Sequence, residues 1–193
     1  VEVIAPSSHR VQPPCKYYGK CTGCQWQHID YKHQLELKRD TVQYELDRTL
    51  QSDSIKVSDT LPSPNQLNYR NHARFTIGRN GVLGFVNRGS RQFVRIDKCM
   101  IMHPGINQTL HDLQEKCAET TQLSIRYGVN TDEWLVQPTL QNPDIPLKSG
   151  QTHYEELMLD RKFRVAASSF FQVNTPQAEN VVNLLKTGLN LTG

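Results

Sequence analysis

The sequence has no long apolar run. No stretch of its 193 residues approaches the roughly 18 consecutive apolar residues of a membrane-crossing helix, and its first residues, VEVIAPSSHRVQPP, lack the apolar core of a secretory signal. We therefore expect a globular, cytoplasmic chain of one or two domains with no membrane partner. Disulfides are rare in the cytoplasm, so an odd number of cysteines, five, favours metal binding over a disulfide framework.

Acidic residues are scarce in the segment 68–98. It has seven Lys/Arg and one Asp, whereas 1–67 has eight of each sign and 99–193 has seven Lys/Arg and ten Asp/Glu. Its basic residues are Arg70, Arg74, Arg79, Arg88, Arg91, Arg95 and Lys98. A guanidinium group can donate two parallel hydrogen bonds to phosphate oxygens, and the release of counterions from the nucleic acid adds affinity. The segment therefore predicts a phosphate-binding surface, with a merely solvated sheet face as the alternative.

Three of the five cysteines are close together in the sequence. Cys15, Cys21 and Cys24 form a C-x5-C-x2-C pattern, and Cys99 follows far downstream. Structural zinc sites usually combine two short pairs of ligands, whereas three close thiolates and a distant fourth are common for [4Fe-4S] clusters. The spacing thus favours an iron-sulfur cluster and leaves zinc open. The fifth cysteine, Cys117, lies in the helical-looking HDLQEKCAET and is interpreted as a buried core thiol.

The hydrophobic pattern predicts an α+β fold in which an antiparallel sheet of hairpins packs with helices. The cysteine spacing adds an N-terminal loop that carries the metal cluster. An amphipathic helix is predicted over 28–50, with its apolar stripe in the core. Two more helices are predicted, from Pro104 to about Thr120 and from Thr175 to about Thr187. Strands are predicted over 72–78, 82–86, 92–96, 123–127, 133–137, 154–159 and 162–166, with Arg79-Asn80-Gly81 as the first hairpin turn.

Four runs of sequence carry a family resemblance. They are CKYYGKCTGCQWQHIDYKHQLELKRD (15–40), YRNHARFTIG (69–78), GFVNRGSRQFVRIDKCMI (84–101) and FRVAASSFFQVNTPQAE (163–179). In the same order they resemble the RNA (uracil-5-)-methyltransferases, which use S-adenosylmethionine to make 5-methyluridine in ribosomal and transfer RNA. The chain departs from many members at Thr22-Gly23, where they have Gly-Gly between the second and third cysteines.

The resemblance implies roles for individual residues. A [4Fe-4S] cluster would be bound, as in the branch of the family that modifies 23S ribosomal RNA, by Cys15, Cys21, Cys24 and Cys99. Gln172, in the Ser-Phe-Phe-Gln-Val-Asn motif, would lie at the active site and contact the methyl donor, while Phe170 and Phe171 are interpreted as core residues. Contacts to the RNA partner are expected from Arg70, Arg74, Arg79, Arg88 and Arg91.

The family's glycine-rich donor loop, catalytic cysteine and general base have no match in this sequence. The resemblance therefore implies three regions: a remnant of an RNA-binding module (1–14), a central domain with the cluster loop (15–173), and a helix leading into an absent methyltransferase domain (174–193). The chain would supply the cluster, RNA contacts and one wall of the active site. It would be inactive alone and would use S-adenosylmethionine mainly through the absent domain. No protein partner is inferred.

Two alternative functions fit the cysteine pattern. The first is a small iron-sulfur electron carrier or redox sensor that binds no RNA. The second is an RNA-binding module with a structural zinc site. Within the methyltransferase hypothesis, methyl transfer to uracil through a cysteine adduct consumes no electrons. A structural role for the cluster is therefore favoured over a redox role, since Cys99 would close a long chain segment onto the N-terminal loop.

Overall fold

The computed structural model describes residues 3–50 and 54–190. The chain divides into two compact units, Val1–Ser63 and Pro64–Gly193. This boundary lies inside the region 15–173 that the sequence assigns to one central domain, and the three-part division stays a prediction. In the described ranges, no helix is both long and apolar enough to cross a membrane.

The first unit consists of a loop followed by helix α1, Tyr31–Leu50. An antiparallel bridge between Arg10 and Ile29 closes the base of the loop. Asp30 caps the helix, because its carboxylate accepts hydrogen bonds from the backbone N–H groups of Lys32 (3.0 Å) and His33 (3.3 Å). The helix thus begins three residues later than the sequence predicts.

The apolar stripe of α1 is not buried, which corrects the prediction that it forms core. None of the residues of α1 is buried, and Val42 and Leu50 are about half exposed. Polar bonds instead hold the following segment along the helix. Gln43 donates to the carbonyl of Ile55 (2.9 Å) and accepts from the N–H of Val57 (2.8 Å).

The second unit contains two antiparallel sheets and two helices. Its elements are β1 (His72–Ile77), β2 (Leu83–Val86), β3 (Phe93–Arg95), α2 (Pro104–Leu113), β4 (Gln122–Tyr127), β5 (Trp134–Gln137), β6 (His153–Met158), β7 (Arg161–Ala166) and α3 (Thr175–Gly188). The strand order is β3-β2-β1-β4-β5 in the five-stranded sheet, and β6 pairs with β7. A short 3-10 turn, Arg79–Gly81, joins β1 to β2. The mixed architecture with antiparallel hairpins is confirmed, and the predicted strands are present to within two residues.

The core lies between α2 and one face of the larger sheet. Strand residues alternate between the two faces, and the fully buried members are Phe75, Leu83, Leu123, Ile125 and Val136 on strands and Ile106, Leu110 and Leu113 on α2. Side chains such as Arg74 and Ser124, which are register partners on β1 and β4, lie on the opposite face. The sheet therefore has one apolar face and one face with polar and charged positions.

Helix α2 ends at Leu113, earlier than the predicted Thr120. Gln114 leaves the helix because its side chain is used by the sheet: Oε1 accepts from the N–H of Leu83 (2.9 Å), and Nε2 donates to the carbonyl of Ile96 (2.8 Å). Gln114 has a non-helical ψ of 130° and Glu115 a positive φ of 65°, so neither residue continues the helix. A long-range contact thus overrides the local helical pattern.

Candidate functional site

The cysteine loop of the first unit is built from tight turns. The N–H groups of Tyr18 and Cys21 donate to the carbonyls of Cys15 (3.0 Å) and Tyr17 (2.9 Å). Gly19 has a φ of +80°, a left-handed conformation that glycine adopts without strain. The hydroxyl of Tyr18 donates to the carbonyl of Gln25 at 2.6 Å, which fixes the end of the loop.

The loop brings three thiols into one neighbourhood. Cys15, Cys21 and Cys24 are each half-buried and free of disulfides. Burial raises the pKa of Cys21, and the nearby Cys24 and Cys15 raise it further. A Cβ at Gly23 would lie 3.3 Å from Sγ of Cys21, so a larger residue would crowd this sulfur.

Cys99, the fourth predicted ligand, belongs to the second unit and has a well-defined backbone. Asn107 holds it from α2: Oδ1 accepts from the N–H of Cys99 (2.8 Å), and Nδ2 donates to its carbonyl (3.0 Å) and to that of Met102 (3.1 Å). Across the described part of the chain, no group of three or more His, Cys, Asp or Glu side chains has a geometry that could hold a metal ion. The four-cysteine cluster stays a prediction.

Cys117 is fully buried, as predicted for a core thiol. Its Sγ lies 3.6 Å from the carbonyl oxygen of Leu113, and burial raises its pKa to about 11. A thiol with such a pKa is almost entirely protonated at neutral pH and is a poor nucleophile.

The segment around Gln172 is held by its backbone, which leaves the side chain exposed. Asn71 donates from its backbone N–H to the carbonyl of Val173 (2.9 Å) and from Nδ2 to the carbonyl of Gln172 (3.2 Å). Asn174 then caps α3 by accepting from the N–H of Gln177 (3.2 Å). The amide of Gln172 is thus presented outward from a fixed loop between β7 and α3.

A buried polar network anchors this loop. Glu156 is fully buried, and its carboxylate accepts from the N–H groups of Val129 (3.0 Å) and Asn130 (3.1 Å). The hydroxyl of Thr175 donates to the same carboxylate (3.2 Å) and accepts from Nδ2 of Asn71 (3.0 Å). The network satisfies the buried carboxyl group with hydrogen bonds and joins Asn71, just before β1, to β6 and α3.

The two phenylalanines before Gln172 have different environments. Phe171 packs against the buried cluster of Leu135, Tyr154 and Val165, as expected for a core residue. Phe170 is 81% exposed, so the prediction that it forms core is wrong. Only one residue of the pair therefore reaches the core.

Arg126 is a buried cation that the sequence did not single out. It is 6% exposed, and it donates from Nη2 to the carbonyl of Ser169 at 2.6 Å. Its charge opposes the effect of burial, which raises the pKa of Tyr154. Its Nε is buried without a hydrogen-bond partner among the described residues. Arg126 therefore fixes the residues just before Gln172 from the sheet side.

His72 lies beside several cationic groups on the polar sheet face. It pairs in register with Arg126, and its Nε2 lies 3.0 Å from Oγ of Ser124. Burial lowers its pKa to about 4, with the charges of Arg126, Arg70 and Arg74 acting in the same direction. The imidazole is therefore neutral at pH 7.

The five predicted RNA-binding arginines lie in and around the first hairpin. Arg74 is on β1, and Arg79 begins the turn to β2. Arg88 and Arg91 are exposed in the loop between β2 and β3. Arg70 is half-buried and donates from Nε to the carbonyl of His72 at 2.9 Å, so it also has a structural role.

Sequence reasoning missed the residues that position the site. Asn71 and Glu156 act through partners that are distant in the sequence, and Arg126 lies in an ordinary strand pattern. The one available signal was a polar residue, Asn71, directly before a strand that alternates buried and exposed positions. That signal does not indicate which residues Asn71 contacts.

No family model matches the chain. Over its whole length the chain is similar to proteins named uncharacterized RNA methyltransferases. Those of Synechocystis sp. and Thermosynechococcus vestitus are each 27% identical, with 54% and 55% of their own lengths covered. A protein of the same name from Staphylococcus aureus is 24% identical over 97% of this chain and 53% of its own. The chain thus spans about half the length of these relatives.

The fold is similar to the crystal structure of Pyrococcus abyssi tRNA (uracil-54, C5)-methyltransferase in complex with S-adenosyl-L-homocysteine. The TM-score is 0.72 at 22% identity, covering 96% of this chain and 53% of that one. At this identity the likeness establishes a shared fold.

Proposed function

We propose that this chain is part of a longer S-adenosylmethionine-dependent RNA uracil-C5 methyltransferase that acts on 23S ribosomal RNA. The observation that carries the proposal is similarity along the whole chain to proteins named RNA methyltransferases that are about twice as long. The fold shared with the P. abyssi enzyme supports it. RNA is accordingly the partner that we assign to the basic segment 68–98.

Gln172 is the residue of this chain that we assign to the methyl donor. S-adenosylmethionine supplies the methyl group when it is bound. The exposed amide of Gln172 offers one acceptor and two donors, and Asn71 and Arg126 act as positioning residues because they hold the backbone on either side of it. Fixed polar groups of this kind lower the entropic cost of orienting a ligand.

The chain alone is expected to be inactive. Methylation of uracil at C5 needs a thiolate that adds to C6 and a base that removes the C5 proton. The buried Cys117, with its pKa near 11, does not suit the role of the thiolate. If the other four cysteines bind the cluster, the nucleophile belongs to the remainder of the longer protein.

We further propose that Cys15, Cys21, Cys24 and Cys99 bind a [4Fe-4S] cluster with a structural role. The donor set suits such a cluster, because three half-buried thiols share one loop in which Gly23 permits close approach to a sulfur. Asn107 holds the backbone of Cys99 on both sides, which suits a residue that must present a ligand.

The test uses the longer protein that contains this chain. It is incubated with S-adenosylmethionine and fragments of 23S ribosomal RNA or transfer RNA, and 5-methyluridine is measured by mass spectrometry. We expect product on the ribosomal RNA. Gln172→Ala should lower kcat/KM for the methyl donor by about 10-fold or more, whereas Gln108→Ala, on the exposed side of α2, should not. Absence of 5-methyluridine on both RNAs, or product from this chain alone, would contradict the proposal.

A further inference from the structure

The polar face of the larger sheet has an exposed region formed by β1, β2 and β3. The register pairs Thr76 with Gly84, Gly84 with Arg95, and Val86 with Phe93, so these residues share one face. Arg74, two positions before Thr76, lies on the same face and is exposed. Val86 and Phe93 are 37% and 38% exposed. An aromatic and an aliphatic side chain are therefore available to solvent on the same sheet face as a cation.

Phe93 occupies a defined position on this face. A Cβ at Gly84 would lie 2.7 Å from Cζ of Phe93, and a Cβ at Gly78 would lie 3.0 Å from the ring. The ring thus fills the space above two glycines, and side chains there would displace it. A ring that the sheet already holds in place loses little conformational freedom when a ligand packs on it.

Exposed cations lie close to Phe93 in the sequence. Arg88 and Arg91 lie in the loop that leads from β2 to Phe93. This loop is tightly built, because Oδ1 of Asn87 accepts from the N–H groups of Gly89 and Ser90, each at 2.9 Å. Arg95, by contrast, pairs with Asp97 and Glu115, so its charge is largely neutralised within the chain. Exposed cations that are not in these ion pairs therefore include Arg74 on β1 and Arg91, two residues before Phe93.

We propose that this face is a platform for single-stranded RNA, in which an unpaired base stacks on Phe93 and phosphates contact Arg74, Arg88 and Arg91. The proposal rests on the proposed function for the identity of the partner as RNA, and it adds the strandedness and the stacking residue. The charge of 68–98, seven basic residues against one acidic, is complementary to a phosphate backbone. Bases inside a duplex are covered by their neighbours, whereas an unpaired base can turn its flat surface to an aromatic ring, so a stacking platform favours single strands over duplexes.

The test measures binding of this chain to a fluorescent single-stranded oligouridylate and to an RNA duplex of equal length across a salt series. We expect the single strand to bind more tightly. Phe93→Leu keeps an apolar cover over the glycines but removes the aromatic face, and should weaken single-strand binding about 5- to 100-fold with an unchanged salt slope. Phe93→Tyr should bind as the parent does. Arg91→Ala should reduce the salt slope by roughly 0.7 to 1, whereas Lys186→Ala, on α3, should leave it unchanged.

Each of the remaining results of this binding test shows which part of the proposal is wrong. If both RNAs bind with the same salt slope and Phe93→Leu has no effect, the platform is wrong while RNA binding stands. If neither RNA binds but a polyglutamate peptide does, and Arg91→Ala weakens it, the face binds an acidic protein and the platform is again wrong. A thermal melt of each variant shows whether it is folded. A Phe93→Leu variant that is folded and binds single strands like the parent overturns the proposal.

Discussion

Asn71 and Thr175 lie 104 positions apart in the sequence, yet Nδ2 of Asn71 donates to Oγ1 of Thr175 at 3.0 Å. This bond joins the residue before β1 to the first turn of α3. The same side chain of Asn71 also reaches the carbonyl of Gln172. The geometry of the candidate donor-binding loop therefore depends on a contact between the two ends of the second unit.

Asn71→Ala should destabilise the chain by about 1–3 kcal/mol, because it leaves buried polar partners without a hydrogen bond. Urea unfolding measures the loss. Thr175→Val removes the other member of the bond. In a double-mutant cycle the two changes should be less than additive, with a coupling of at least about 0.5 kcal/mol. Strict additivity would show that the bond contributes nothing to stability.

Glu156→Ala should be among the most destabilising changes, at about 3–5 kcal/mol, because the buried N–H groups of Val129 and Asn130 lose their acceptor. The matched control is Glu155→Ala on the same strand. Glu155 forms a surface ion pair with Lys162, and its loss should cost about 0–1 kcal/mol. Chemical denaturation of both variants makes the comparison. Equal losses would contradict the central role of the Glu156 network.

Stability should fall as the pH falls from 6.5 towards 4. The pKa of His72 is about 4 in the folded chain and 6.5 ordinarily, so the unfolded state binds more protons in this window. The contribution of neutral His72 to the free energy of unfolding is complete above pH 6.5. It is lost as the pH falls towards the folded pKa of about 4. After allowance for partial exposure, about 2 kcal/mol depends on this residue.

The measurement for His72 is urea unfolding at several pH values for the parent and for His72→Gln, whose amide can still hydrogen-bond Ser124. The variant should have a flatter stability profile between pH 6.5 and 4. If both profiles have the same slope, His72 is not the group responsible.

Single replacements of Cys15, Cys21, Cys24 or Cys99 by serine should each abolish cluster iron and lower the Tm, because a [4Fe-4S] cluster uses every one of its thiolates and links distant segments. Iron, zinc and acid-labile sulfide are measured in anaerobically purified protein. Cys117→Ala is the control and should retain the iron. Zinc without sulfide would favour the zinc alternative, and an unchanged Tm in the serine variants would argue against a structural cluster.

Local sequence signals predicted most of the secondary structure. The strands observed over His72–Ile77 and Leu83–Val86 were predicted over 72–78 and 82–86 from the apolar runs on either side of Asn80-Gly81, because strand pattern and turn chemistry are local properties. The helix start at Thr175 followed from the adjacent proline in the same way. The end of α2 was not predictable, since Gln114 leaves the helix to bond strands that the helical pattern does not reveal.

The sequence by itself determined the order of strands and helices, the basic character of 68–98 and the set of candidate cysteine ligands, because these depend on neighbouring residues and on composition. Only the tertiary structure decided that Phe93 lies exposed above two glycines, that Arg126 is buried beneath the loop carrying Gln172, and that α1 has no buried residue. These features depend on strand register and on contacts between residues far apart in the chain. Such contacts form only when the whole unit packs, so no short stretch of sequence encodes them.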